Sequence, residues 1–171
     1  HEEALSKGDS GNTHSSWIGS IIPDNHTAGK RMATQLVKAA REKSPAGQLQ
    51  GLALIGDTQT PASIARNAGM VAGFSKDKAI SIDRILEARW NSQDAEHLTA
   101  QYLKWVDLSG GQSDLIWAVN DAMAEGAILA LESAGLTPGE DVLVAGLNWS
   151  PEGIRRVSER SMLLTDGGHF M

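Results

Sequence analysis

The sequence predicts an α/β domain, a three-layer α/β/α sandwich with a mostly parallel sheet. Short apolar runs begin near residues 52, 82, 115 and 142, and a helical pattern follows each of them. This spacing gives strand–helix units of about 30 residues, the length that a β-α-β repeat requires. The runs are apolar throughout, which is typical of parallel strands with helices on both faces.

The composition is that of an ordinary globular domain. The 171 residues are 41% hydrophobic and 21% charged, enough for one domain with a sizeable core. A net charge of −6 disfavours a nucleic-acid binder that follows the phosphate backbone. The absence of cysteine excludes disulfides, thiolate catalysis and cysteine-ligated zinc. We see neither a signal segment nor an apolar run of roughly 20 residues, so we expect a mature form or an excised piece.

Prolines, glycines and capping residues predict the order of the elements. Residues 1–16 are polar and are expected to form a loop or a disordered tail. A strand-like run over 17–22 and a helix from Asp24 or Asn25 to about Lys43 come next. The remaining elements are predicted as strands over 52–55, 82–88, 115–119, 141–145 and 162–165, and helices over 62–74, 92–107, 122–134 and 151–159.

The stretch from Leu115 to Asp121 is central to the functional interpretation. An apolar run ends at Val119, and an alanine-rich helical pattern begins after Asp121. Asp121 is expected to cap that helix through its carboxylate. Asn120 then stands at the carboxyl end of a strand, the position at which open α/β sheets bind ligands. We therefore predict that Asn120 contacts a ligand.

Three further strand ends carry side chains suited to a ligand rich in hydroxyl groups. Arg66 lies about a turn into the helix after the first strand, Trp90 follows the second, and Asn148 with Trp149 follows the fourth. An indole offers a flat apolar surface to the C–H face of a sugar ring. Arginine and asparagine offer planar groups that can each engage two adjacent hydroxyls. Arg66, Trp90, Asn120 and Asn148 are therefore the predicted ligand contacts.

The sequence lacks the common motifs of catalysis and cofactor binding. It has no Gly-x-Ser-x-Gly elbow, no His-Glu-x-x-His pair and no phosphate-binding Gly-x-x-x-x-Gly-Lys loop. Gly-x-Gly-x-x-Gly is absent after every predicted strand, and the histidines are scattered. We expect a binding protein with no catalytic residue, no metal and no cofactor.

Five segments resemble the type 1 periplasmic sugar-binding proteins, the ribose- and galactose-binding group. Residues 23–29 resemble the family's entry to its carboxy-terminal lobe, and residues 65–69 resemble its arginine loop. Residues 89–91 fall where the family has an aromatic side chain after a strand. Residues 144–154 resemble its Gly-Phe-Asp-x-x-Pro-x-Gly segment. The most specific match is residues 120–127, which is close to Asn-Asp-x-Met-Ala-x-Gly-Ala and is shared with lac-repressor-type regulators.

The resemblance implies roles for individual residues. Arg66 and Asn120 would hydrogen-bond sugar hydroxyls, and Trp90 would pack on the sugar ring. Asn148 stands where the sugar-binding members usually carry an aspartate, so their specificity for ribose or glucose does not carry over. His169 is a candidate contact near the hinge.

The resemblance also implies a two-lobed parent protein. Family members close two similar lobes over the ligand, and residues 17–171 would correspond to the carboxy-terminal lobe alone. A free lobe would bind ligand weakly, because the contacts and water exclusion of the other lobe are missing. Its open crevice, with Trp90 and Trp149, suggests a homodimer of the isolated lobe.

The function implied is that of the solute-binding component of an ABC sugar-uptake system. Such a protein would be periplasmic, would bind a monosaccharide-like ligand without chemistry, and would deliver it to a membrane permease. Two alternatives use the same site: the effector lobe of a lac-repressor-type regulator and the input domain of a membrane sensor. An enzyme on a flavodoxin-like sheet is a more distant alternative.

Overall fold

The computed structural model describes residues 22–167, which form a five-stranded parallel sheet in the order β2-β1-β3-β4-β5. The α/β class and the parallel sheet are thereby confirmed. In chain order the elements are α1 (Asn25–Lys43), β1 (Leu49–Ile55), α2 (Pro61–Phe74), β2 (Ile80–Glu87), α3 (Ser92–Ser109), β3 (Leu115–Ala118), α4 (Asp121–Ser133), β4 (Leu143–Leu147), α5 (Pro151–Ser158) and β5 (Leu164–Asp166). The predicted tail and nearly all of the strand-like run over 17–22 lie outside the described residues.

Helices cover both faces of the sheet, as predicted for a three-layer sandwich. The chain steps from β1 outward to β2, and then returns past β1 to β3, β4 and β5. Right-handed crossovers therefore put α2 on one face and α3, α4 and α5 on the other. α1 packs against α2, and α3 packs against α4. None of the helices within residues 22–167 is long and apolar enough to cross a membrane.

The core is centred on β3, the middle strand of the sheet. Each residue of Leu115–Ala118 is fully buried, because strands flank β3 on both sides and a helix layer covers each face. Trp117 of β3 and Met123 of α4 are 0% exposed and are part of this core. A polar residue directly after β3, such as Asn120, therefore emerges from the centre of the molecule at the carboxyl edge of the sheet.

Glycines let α1 and α2 approach closely. A Cβ on Gly29 of α1 would lie 2.2 Å from the carbonyl oxygen of Arg66, and a Cβ on Gly69 of α2 would lie 2.0 Å from that of His26. Any larger residue at either position would push the helices apart. The glycines of residues 23–29 and 65–69 are thus packing residues, and they allow the helix that carries Arg66 to pack closely against α1.

The N-cap residue of α4 differs from the predicted one. The prediction that Asp121 caps this helix is wrong, since Asn120 is the N-cap and its Oδ1 accepts the backbone N–H of Met123 at 2.8 Å. Asn120 has the extended backbone that an N-cap needs, with φ −151° and ψ 171°, so the helix begins one residue earlier than expected. Asp121 is the first helical residue, and its carboxylate points to other loops.

Other boundaries shift by a few residues. Asp24, one of the two predicted alternatives, caps α1 by accepting the N–H of Thr27 at 2.9 Å. The helix α4 ends before Gly135, whose φ of 77° confirms the predicted left-handed glycine. β1 starts at Leu49 rather than near 52, because Leu49 already pairs with Ile80 of the neighbouring strand. Long-range pairing of this kind leaves no mark in the local apolar pattern.

Candidate functional site

The predicted contact residues follow successive strands at one edge of the sheet. Because the strands are parallel, the loops after β1, β2, β3 and β4 all open at the carboxyl edge. Arg66 comes from the second turn of α2, Trp90 from the loop after β2, Asn120 from the end of β3, and Asn148 from the end of β4. We call these four residues the strand-end cluster. His169 lies outside the described residues.

Arg66 is buried and joins three parts of this edge. Its Nε donates to Oδ1 of Asn25 at 2.8 Å, and its Nη1 donates to the carbonyl oxygen of Val119 at 2.9 Å. Its guanidinium carbon lies 5.6 Å from the centre of the Trp90 ring, within cation–π range. Its remaining nitrogen, Nη2, has no hydrogen-bond partner among residues 22–167 and is a donor open to a ligand.

The charge of Arg66 is poorly compensated by the protein. Burial lowers the pKa of Arg66 from its ordinary value, and the negative charge of Asp121 opposes this only as the smaller effect. Arginine stays protonated at physiological pH even so. The site therefore contains a fixed positive charge in a largely desolvated position.

Trp90 is held in place by an unusual turn and by a glycine. Arg89 and Trp90 both have left-handed backbones, with φ of 47° and 65°. The half-buried indole lies flat against Gly56, where an added Cβ would come within 2.4 Å of the ring. Sequence reasoning missed the role of Gly56, although its place directly after a strand was a usable signal. Strained non-glycine backbones of this kind concentrate at functional sites.

The oxygen and the nitrogen of the Asn120 side-chain amide have different surroundings. The side chain is 7% exposed, and its Oδ1 is committed to the cap of α4. Its Nδ2 has no hydrogen-bond partner among the described residues and is a donor available to a ligand. Its Oδ1 has one lone pair beyond the bond to Met123.

The loop that carries Asn148 is strained and tightly anchored. Asn148 has φ 130° and Trp149 has φ 52°, both in the region that favours glycine. The backbone N–H of Asn148 donates to the carbonyl oxygen of Asp166 at 2.7 Å, while its side chain is exposed. Trp149 donates from its backbone N–H to Oγ1 of Thr165 at 3.1 Å and from Nε1 to the Thr165 carbonyl at 2.9 Å.

Asp121 ties this loop to β5, a role that sequence reasoning missed. Its side chain is 2% exposed and accepts from the N–H of Ser150 at 2.8 Å, from its hydroxyl at 2.9 Å, and from the hydroxyl of Thr165 at 2.7 Å. Gly146 and Gly153 leave room for the carboxylate, since a Cβ on either would come within 2.5 Å of it. Through its bonds to Ser150, Asp121 thus anchors the loop that carries Asn148.

The site can bind a polar ligand with a flat apolar face. Arg66 and Asn120 supply donors, Trp90 supplies an aromatic surface, and Asn148 supplies an exposed amide. Residues 22–167 contain no cluster of three metal-ligating side chains. A separate cavity of about 720 Å³ opens between α3 and α4 near the amino-terminal ends of β3 and β4, and none of the predicted site residues lines it.

The structure brings Arg66 and Trp90 into direct contact and puts Asn120 next to Val119, whose carbonyl binds Arg66. Asn148 follows the neighbouring strand β4 and is coupled to this group through Ser150 and Asp121.

Comparisons with known proteins agree with this architecture. Residues 9–165 match the family described as periplasmic binding protein domain. The chain is 30% identical over 151 residues to the ribose import binding protein RbsB of Escherichia coli (strain K12), covering 86% of this chain and 46% of that protein. It is 26% identical over 136 residues to the galactofuranose-binding protein YtfQ of the same organism, covering 80% and 41%.

A crystal structure of a periplasmic sugar-binding protein from Pseudomonas fluorescens has a TM-score of 0.79 at 27% identity, covering 92% of this chain and 47% of that one. The chain spans less than half the length of the curated relatives it matches. The resemblance to type 1 periplasmic sugar-binding proteins is confirmed, and the chain belongs to the periplasmic binding protein family.

Proposed function

We propose that this chain is the carboxy-terminal, sugar-binding lobe of the solute-binding component of an ABC uptake system. The ligand is a monosaccharide-like molecule, and the protein binds it without transforming it. Arg66, Trp90, Asn120 and Asn148 contact the ligand, and His169 completes the site near the hinge. The curated relatives are named as binding proteins, which supports a role in transport rather than in transcriptional regulation.

One observation carries the proposal: the Arg66 guanidinium lies 5.6 Å from the centre of the Trp90 ring and donates to the carbonyl of Val119, the residue before Asn120. A sugar ring stacks on an indole through its C–H groups, and its hydroxyls require donors at the rim of that surface. Arg66 Nη2 and Asn120 Nδ2 are such donors, and both lack other partners among the described residues. An aromatic platform flanked by free planar donors suits a small polyol better than a wholly apolar ligand.

A second lobe would cover this crevice. The strand-end cluster lies at an open edge of the sheet, and hinge closure of a matching lobe over it would exclude water and add contacts. Closure would explain how a site assembled from one sheet edge reaches useful affinity.

Location and partners follow from the same proposal. The protein acts in the periplasm and delivers its ligand to a membrane permease. In the isolated lobe, Trp149 is 45% exposed and Trp90 is half-buried at the crevice, so a homodimer through this face is the proposed state. Light scattering at increasing protein concentration tests this state, and a monomer throughout contradicts it.

Tryptophan fluorescence of the natural full-length protein tests sugar binding. We expect a saturable change on titration with one member of a panel of pentoses, hexoses and disaccharides. Trp90→Ala should weaken binding by about tenfold or more, since it removes the stacking surface. Trp105→Ala is the matched control, because Trp105 is 39% exposed on α3 and packs with Tyr102, away from the strand-end cluster.

The control separates binding from a general loss of structure. Equal weakening in both variants would assign the effect to stability rather than to stacking. A flat response to every sugar, with the protein folded by circular dichroism, would contradict the proposed function.

A further inference from the structure

The described residues contain two buried arginines, and their surroundings differ sharply. Arg156, 8% exposed, donates to Glu125 at 2.6 and 2.7 Å and to Glu132 at 2.8 Å. Arg66, 6% exposed, donates only to an amide oxygen and a backbone carbonyl. The fold therefore pairs one buried guanidinium directly with carboxylates and leaves the other without a directly bonded carboxylate.

An unpaired buried charge is costly. Removing one partner of a buried ion pair is strongly destabilising, because the remaining charge has lost water without gaining a counter-ion. Burial lowers the pKa of Arg66, as expected for a cation that is desolvated without direct pairing. A ligand that brings a negative charge to Nη2 recovers this cost on binding.

Carboxylates at the same edge of the sheet are already engaged. Asp121 accepts three hydrogen bonds from Ser150 and Thr165. Asp166 pairs with Arg31 across α1 and β5, and its carboxylate is 10% exposed.

Two further acids of this edge make local contacts. Asp94 forms an ion pair with Arg89 at 2.8 Å. The carboxylate of Asp57 accepts a hydrogen bond from the backbone N–H of Gln59 at 2.7 Å. None of these groups makes an ion pair with Arg66.

The uncharged groups of the site reinforce the imbalance. The oxygen of Asn120 already accepts the N–H of Met123 in the cap of α4, whereas its Nδ2 has no partner among the described residues. Arg66 is a donor at every nitrogen. Asn148 is neutral, and its side chain is the exposed amide of the cluster. The strand-end cluster thus combines several N–H donors with one buried positive charge that no carboxylate contacts directly.

We propose that the ligand is a monosaccharide that carries a carboxylate, and that Arg66 binds this carboxylate with Asn120 beside it. This inference rests on the proposed sugar-binding function and specifies its ligand class. A guanidinium donates to a carboxylate through charge-assisted hydrogen bonds, which are about twice as strong as bonds between neutral groups. Trp90 packs on the ring of the same ligand.

Matched pairs of ligands test the proposal in the natural full-length protein. The probes are D-galactose with D-galacturonate and D-glucose with D-glucuronate, titrated by calorimetry. We expect at least one acid to bind about tenfold or more tightly than its neutral partner. Neutral sugars binding as tightly as their acids, or more tightly, would overturn the carboxylate proposal and leave the sugar-binding function intact.

Two variants identify the residue responsible. Arg66→Gln should abolish the preference for the acid, whereas Arg89→Gln, which removes a charge from an exposed arginine at the same edge, should preserve it. Asn148→Asp adds a negative charge at an exposed position of the cluster and should reduce the affinity for the acid relative to its neutral partner by about tenfold or more. This variant keeps the test decisive if Arg66→Gln fails to fold.

The possible outcomes distinguish failure of the carboxylate proposal from failure of the sugar-binding function. An acid preference that survives both Arg66→Gln and Asn148→Asp would overturn the assignment to this lobe. If the folded protein binds none of the probes, neutral or acidic, both the sugar-binding function and the carboxylate proposal are overturned.

Discussion

Replacing Asp121 by asparagine removes a buried negative charge without changing the size of the side chain. The carboxylate accepts three hydrogen bonds, two from Ser150 and one from Thr165. A bond to a charged acceptor contributes about 1.5–3 kcal/mol, and a neutral one about 0.5–1.5 kcal/mol. The loss is therefore about 1 kcal/mol for each bond, or about 3 kcal/mol in total.

Chemical denaturation measures this loss directly. We expect the free energy of unfolding of Asp121→Asn, from urea titration followed by circular dichroism, to fall by about 3 kcal/mol. The melting temperature should fall by about 6–12 °C for a domain of this size. Asp94→Asn is the matched control, since Asp94 also lies in the first turn of a helix but is 36% exposed. It should cost at most about 1 kcal/mol.

A double-mutant cycle with Thr165→Val isolates the bond between the two side chains. Thr165 donates to Asp121 and accepts the backbone N–H of Trp149, so the valine variant removes both of these side-chain hydrogen bonds. Because the two substitutions share one hydrogen bond, their costs should fall short of additivity by about 1 kcal/mol. An Asp121→Asn variant within about 0.5 kcal/mol of wild type, or full additivity, would refute the reasoning.

Three further predictions follow from single contacts. Asn120→Asp keeps an N-cap acceptor but loses both N–H donors, so stability should stay within about 0.5 kcal/mol by urea titration while ligand affinity measured by calorimetry falls. Arg156→Met should cost about 3 kcal/mol in the same titration, because it leaves two glutamates without their buried partner, whereas the exposed Arg155→Met should change little. Hydrogen bonding to Arg41 lowers the pKa of Asp77 below 3.8, so Asp77 stabilises the fold above that pH and loses this contribution as the pH falls through its lowered pKa. The stability difference between wild type and Asp77→Asn should therefore shrink between pH 5 and pH 2, and a constant difference would contradict the assignment.

Several features of the site could be predicted from local sequence. A strand ends where its apolar run ends, so the residues at those points are readable without a structure. Arg66, Trp90, Asn120 and Asn148 were placed at the carboxyl ends of strands in this way, and the structure puts all four at that edge. Their contacts with a ligand remain a prediction.

Other features depend on neighbours that are remote in the chain. Asn120 and Asp121 are both good capping residues by type, and the local pattern predicts Asp121, whereas the structure has Asn120 as the cap. The choice depends on Asp121 meeting Thr165, which lies 44 residues away in the chain. Residues with similar local preferences take different roles once partners from other loops are present.

The sequence by itself determined the class of the fold, because the alternation of apolar runs and amphipathic helices is a local property of the chain. It also determined which residue types stand at the strand ends. Only the tertiary structure decided that Arg66 is buried without a carboxylate, since its partners come from α1 and from the end of β3, 53 residues away. Burial and charge pairing are sums over contacts between distant segments, and a sequence pattern does not contain them.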